Sequence, residues 1–211
     1  MKFKLLFAIV LVPSLFISAI GKEKTYETGF VWDASHLSGA KSTNPDADKL
    51  GTKAVWHYLY TIAKAEHAEK YGRGFKPFER SYGKRKYFLD LKLPIGEGNP
   101  CIRTTDYDFI LEFKSSRFIK PVTLGWQSPV DGTVTLKATV VAEGEARFEK
   151  GKGMLTVLLD KKKLHQSKYE PGKGDNILVE NITVKKGDFV YISVLGNLYI
   201  GDIGFELLDA Q

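Results

Sequence analysis

The chain has 211 residues, 43% of them hydrophobic and 27% charged, with a net charge of +6. That is enough apolar material for a packed core and too balanced a charge for a disordered polyelectrolyte, and no nucleic-acid-binding motif accompanies the basic excess. A single cysteine, Cys101, rules out an internal disulfide, so the fold has to rest on buried apolar side chains.

The opening stretch "MKFKLLFAIVLVPSLFISAIGK" sets Lys2 and Lys4 ahead of an apolar run from Leu5 to Ile20, with small Ala19 and Gly21 just before a cut. This is the pattern of a secretory signal peptide, residues 1–21. It leaves 22–211 as one domain, secreted or held in the periplasm or at the cell surface. The run is short for a bilayer span and is broken by Pro13 and Ser14, and no later stretch is apolar enough to cross a membrane.

The N-terminal half of the exported part is irregular. "TYETGFVWDASHL" begins as a strand, and "SGAKSTNPDADKLGTK" is loop by composition. "AVWHYLY" alternates, with Trp56, Tyr58 and Tyr60 on one face and Val55, His57 and Leu59 on the other. Residues 61–72, "TIAKAEHAEKYG", have the composition of a short helix ending at Gly72. "KYFLDLKLP" adds a strand before a Gly/Pro loop.

From Ile110 onward the signals are β: "FILEF", "PVTLGW", "GTVTLKATVVA", "ARFEK", "GMLTVLLD", "KLHQSKYE", "NILVENITV", "DFVYISVLG" and "IGFELLD". "LLDKKKLHQ" reads as a hairpin across Asp160 to Lys163, and "ITVKKGDFVYISV" as a second one turning at Lys185 to Asp188. Strands without helices to cover them must bury their apolar faces on each other. The expected fold is therefore all-β, an antiparallel β-sandwich built mostly from residues after 85, with a loop and short-helix insertion in its N-terminal half.

Catalytic chemistry finds little footing. His36, His57, His67 and His165 show no metal-ligand spacing, and Ser115 and Ser116 sit in no nucleophile elbow. Asp106 and Asp108 share a strand face but stand closer than a glycosidase pair requires. The chain reads as a non-enzyme that requires no cofactor.

Two segments are similar to one kind of module. "NPDADKLGTKAVWHYLY" supplies an Asn-Pro, Gly, Trp-x-Tyr opening at Asn44, Pro45, Gly51, Trp56 and Tyr58. "GWQSPVDGTVTLKATV" and the strands after it supply Trp126, Pro129, Gly132, Asp160, Gly187, Asp188 and Asp202. Together they resemble the jelly-roll, carbohydrate-binding-module-like domains of secreted bacterial proteins. "KKK" replaces the usual Gly after Asp160, and residues 61–110 have no counterpart. The resemblance implies an exported, lectin-like β-sandwich without catalytic residues whose partner is a polysaccharide or cell-surface glycan. It also implies a structural Ca²⁺, with Asp33, Asp202 and Asp209 as candidate oxygen ligands and turn-capping as their other role.

A sugar platform needs an exposed aromatic face beside polar groups. Trp56 and Tyr58 are the platform candidates because they follow a polar loop, although a core face fits them equally; Trp126, beside Val122 and Leu124, reads as core or rim. Residues 61–90 are basic and aromatic. There Arg80 and Arg85 would pair with carboxylate or sulfate and Tyr82 would pack a sugar face, forming the lip of a site for acidic glycans; the alternative is a loop covering one end of the sandwich. Two other functions fit the same β pattern: a structural or adhesive envelope protein that binds other proteins through its sandwich edges, and a small polysaccharide-degrading enzyme.

Overall fold

Alternating apolar and polar side chains give each long strand one face to bury. The computed structural model describes residues 25–34, 44–48, 54–61, 74–78, 80–82, 87–89, 100–104, 110–114, 121–141 and 152–211. Among them the chain forms strands and turns without a helix. The strands are β1 (Val31–Asp33), β2 (Asp46–Ala47), β3 (Ala54–Thr61), β4 (Phe75–Pro77), β5 (Arg80–Tyr82), β6 (Tyr87–Leu89) and β7 (Cys101–Thr104), followed by β8 (Ile110–Lys114), β9 (Val122–Gln127), β10 (Gly132–Val140), β11 (Lys152–Leu159), β12 (Lys162–Tyr169), β13 (Asp175–Val184) and β14 (Phe189–Ala210). The expected helix over 61–72 and the "ARFEK" strand lie outside the described residues, apart from Thr61, which ends β3.

Every pairing is antiparallel, and one strand organises them. The first half of β14 pairs with β9 on one side and β11 on the other; its second half pairs with β10, and with β8 and then β1 on the opposite side. The ladder therefore curls into two layers that share β14. One layer runs β12-β11-β14-β9-β3, with β2 and β4 beyond; the other runs β13-β10-β14, continuing through β8, β7 and β6 to β5. Sequence reading separates "DFVYISVLG" from "IGFELLD", whereas the two are one 22-residue strand. The small residues between them bend the strand without ending it: Gly196 takes φ 110° and Asp202 φ 48°, conformations that turn a strand while its pairing continues.

Between the layers lies an aromatic core. Trp126 of β9 stacks on Phe205 of β14 at 4.3 Å between ring centroids, Trp56 of β3 lies 5.8 Å from the same ring, and Trp32 of β1 lies 5.3 Å from Trp126. All four are essentially inaccessible. The expected sandwich is what the chain forms, but β3 enters it from before residue 85 and carries Trp56, Tyr58 and Tyr60 into the core. β13, expected as a core strand, sends Ile177, Ile182 and Val184 into the core, and among the described residues it pairs with β10 alone, at the edge of its layer.

Turn chemistry is tighter than expected in one hairpin. The β11–β12 connection is the two residues Asp160 and Lys161, with Asp160 at φ 49°. Aspartate tolerates that left-handed backbone, so the hairpin closes without the glycine that "KKK" displaces. The β13–β14 turn falls at 185–188 as expected, and Asp188 Oδ2 accepts from the Lys185 amide at 2.9 Å. Asn44 acts as a clamp: Nδ2 donates to the Tyr58 and Phe78 carbonyls at 2.8 and 2.9 Å, and Oδ1 accepts from the Tyr58 amide at 3.0 Å. The Asn-Pro opening is thus a structural tie between β3 and the chain after β4.

Candidate functional site

The outer face of the β12-β11-β14-β9-β3 layer is unlike an ordinary solvated sheet face. Residues opposite the core in each strand line up across it, since paired positions in antiparallel strands share a face. Leu59 pairs with Thr123, Thr123 with Ser193, Ser193 with Thr156, and Thr156 with Gln166. The result is a row of three hydroxyls and an amide running across four strands. Thr123 Oγ1 donates to Ser193 Oγ at 3.0 Å, and Gln166 Nε2 donates to Thr156 Oγ1 at 3.3 Å and to the Met154 sulfur at 3.0 Å. Apolar Pro121, Met154, Leu158 and Leu195 flank the row.

Ser193, Thr156 and Gln166 with these apolar neighbours and Lys163 line a groove of about 300 Å³, while Thr123 is fully buried and holds Ser193 in place. That volume is at the lower bound of small-molecule sites and admits a short stretch of ligand. The Lys163 ammonium donates to Gln166 Oε1 at 2.9 Å, which orients the amide and aims its nitrogen at Thr156. Farther along the same face Tyr191, Leu59, Phe75 and Leu158 make a small apolar cluster. Half-buried Phe189 stacks on Tyr191 and meets His57 edge-on, and His57 Nε2 lies 3.2 Å from Gln127 Oε1. Gly125 sits at the centre of this cluster, where an added Cβ would lie 3.3–3.5 Å from Leu59, Tyr191 and Phe189.

The residues expected to bind ligand are elsewhere. Trp56 and Tyr58 are each 1% exposed and face the core. A ring with no free face cannot stack on a sugar, so the platform expectation is corrected: the polar loop before them is followed by a strand whose aromatic side turns inward. Trp126 is core as well. Arg80 and Tyr82 fall on β5, at the opposite end of the hydrogen-bonded strand order from β3, and Arg85 lies outside the described residues. Asp106 and Asp108 lie outside them too. The three carboxylates expected to hold Ca²⁺ do not converge. Asp33 pairs opposite Gly204, two positions from Asp202, whereas Asp209 pairs with Thr133 at the far end of β14. Among the described residues, no three His, Cys, Asp or Glu side chains form a group that could hold a metal ion.

A second polar cluster lies where β7, β8 and the middle of β14 meet. Arg103 Nε donates to buried Glu112 Oε2, and Arg103, Glu112 and Tyr199 occupy one cross-strand row. Burial, and then the Glu112 charge, push the Cys101 thiol up to about 11; the same two causes raise Tyr199, and burial followed by the nearby Asp46 raises Tyr58. In each case the folded protein favours the protonated form. For Cys101 the stability this contributes is fully present below the unfolded thiol's value of 9.0 and is lost as pH climbs from there through the folded value of about 11; the raised tyrosines act in the same direction. The urea midpoint is expected to hold up to pH 9 and to fall between pH 9 and 11, and a thiol reagent is expected to leave Cys101 unmodified until denaturant is added. Rapid labelling of the native protein at neutral pH would contradict this burial.

Fold and face together define an antiparallel β-sandwich of the jelly-roll kind with a groove on one outer surface. No family model matches the sequence, and no curated protein matches it. Among solved structures, the chain is similar to the C-terminal family 22 carbohydrate-binding module of Clostridium thermocellum Xyn10B, at 10% identity over 64% of this chain and 92% of that one, with a TM-score of 0.37. It is also similar to a xylan-binding domain of family 22, at 10% identity over 74% and 97% of the two chains and a TM-score of 0.36. A third is the M60 catalytic domain with its two CBM51 domains from Clostridium perfringens ZmpB, at 12% identity over 64% of this chain and a TM-score of 0.38; this chain spans 15% of that one. Among the described residues, no helix is long and apolar enough to cross a membrane.

Proposed function

We propose that this chain is an exported carbohydrate-binding protein and that the groove across β14, β11 and β12, closed at one side by Pro121, is where a glycan lies. The observation that carries the reading is the row Ser193, Thr156 and Gln166 set between apolar Pro121, Met154, Leu158 and Leu195. A sugar ring is amphipathic in the same way, with hydroxyls at its edge and C–H groups on its faces. Fixed hydroxyls and an amide select the edge, and the apolar flanks cover the faces. No bond is made or broken in this reading, and export follows from the N-terminal pattern of residues 1–21.

Titration calorimetry against a library of polysaccharide fragments tests it. The double variant Thr156→Val, Gln166→Leu, which leaves the buried Thr123–Ser193 pair intact, is expected to bind about tenfold or more weakly than the parent at nearly unchanged stability, since each lost hydrogen bond is worth about 0.5–1.5 kcal/mol. Full affinity in that variant would move the site off this face. A second reading, adhesion to other proteins through a sandwich edge, is favoured by one feature: Leu178, 53% exposed on edge strand β13. A chain that binds no glycan but loses protein binding on Leu178→Lys would support that reading instead.

A further inference from the structure

We propose that the groove selects glycans bearing carboxylates, uronic-acid residues above all, and that Lys163 is the residue that selects them; this rests on the carbohydrate-binding reading of the same groove. Lys163 is the one charged side chain among the described residues that line it. Its ammonium rests on the neutral Gln166 amide oxygen, whereas Lys137 and Lys152 are matched by the carboxylates of Glu206 and Glu170. A cation held in place by a neutral partner keeps its full charge available to a ligand.

The polar groups beside it are biased the same way. Ser193 Oγ already accepts from Thr123, and Thr156 Oγ1 already accepts from Gln166, so each hydroxyl still has its own proton to donate into the groove. The Gln166 oxygen is occupied by Lys163 and its nitrogen by Met154 and Thr156. The groove therefore offers two hydroxyl donors and an ammonium. A carboxylate, which only accepts, answers that set better than a sugar hydroxyl, which must also place its own proton.

The wall that carries Lys163 adds a field of the same sign. From Lys152 to Glu170 the β11–β12 hairpin holds Lys152, Lys161, Lys162, Lys163 and Lys168 against Asp160 and Glu170. Lysines along an edge strand also discourage strand addition. That role is met equally by Lys162, which alternates to the other side of β12, and so the two lysines can be told apart.

The test uses fragments of polygalacturonate and glucuronoxylan, each beside the same fragment with its carboxylates chemically reduced to alcohols. The expected result is tighter binding of the acid than of its reduced form, a difference that shrinks in high salt. Lys163→Gln is expected to lower affinity for the acids about tenfold more than for the reduced forms, while Lys162→Gln keeps the preference. Equal binding of acid and reduced fragments by the parent, or a preference that survives Lys163→Gln, would overturn the assignment while leaving glycan binding intact. Binding of neither form, with no response to neutral glycans, would remove the underlying reading and this one with it.

Discussion

Truncating Phe205 to alanine is expected to remove about 3–5 kcal/mol of stability, the range for deleting a fully buried phenyl ring. The ring is stacked on Trp126 and lies beside Trp56, so it joins β14 of one layer to β9 and β3 of the other. No small side chain fills the space between two indoles, and neither Trp can swing in without breaking its own strand register. A domain of this size holds about 5–15 kcal/mol in all, so the variant would be close to unfolding at ambient temperature. Urea denaturation gives the measure, with Leu208→Ala as the comparison, because Leu208 is half out of the surface on the same strand. Similar midpoints for the two variants would show that the layers are held together elsewhere.

An equally large effect is expected from adding a single methyl group at Gly132. A Cβ there would stand 2.2 Å from the Asp209 carbonyl oxygen, against backbone that is itself paired in the sheet. Neither β10 nor β14 can retreat without opening the ladder, so Gly132→Ala is expected to cost about 3 kcal/mol. Gly172→Ala is the control. That position has φ 77° with nothing within 4 Å, so only the left-handed backbone penalty of about 1 kcal/mol applies. If the two substitutions cost the same, the close approach at Gly132 is not the determinant.

Much of the architecture could be read from local pattern. "GTVTLKATVVA" contains strand β10, which ends two residues sooner at Val140, and the turn at 185–188 falls where Gly187 and Asp188 place it, because alternation and turn residues are properties of neighbours in sequence. The fusion of the last two strands was hidden: "GNLYIGD" has the composition of a break, and only its partners β8, β10 and β11 show it to be a bend. The site was hidden for a related reason. Thr123, Ser193 and Thr156 each occupy the outward position of an apolar strand, a visible irregularity in "VTL", "ISV" and "LTV". Their alignment depends on a register set by strands up to 70 residues apart. Trp56 and Tyr58 drew attention as aromatics after a polar loop; alternation alone says that they share a face and not which way it turns.

The long bend of β14 also sets what must be in place before either layer can close. Each layer needs that strand as an inner member, and neither can close before it docks. Until then β9, β10 and β11 have no common partner, their backbone groups are open along the missing strand, and the aromatic half-cores on β1, β3 and β9 face water instead of Phe205. Folding must wait for contacts between β14 and strands more than a hundred residues earlier, such as β1 and β3, a topology that makes it slow. Before β14 docks, the open sheet is a sticky surface on which a chaperone that shields strands from premature pairing would act.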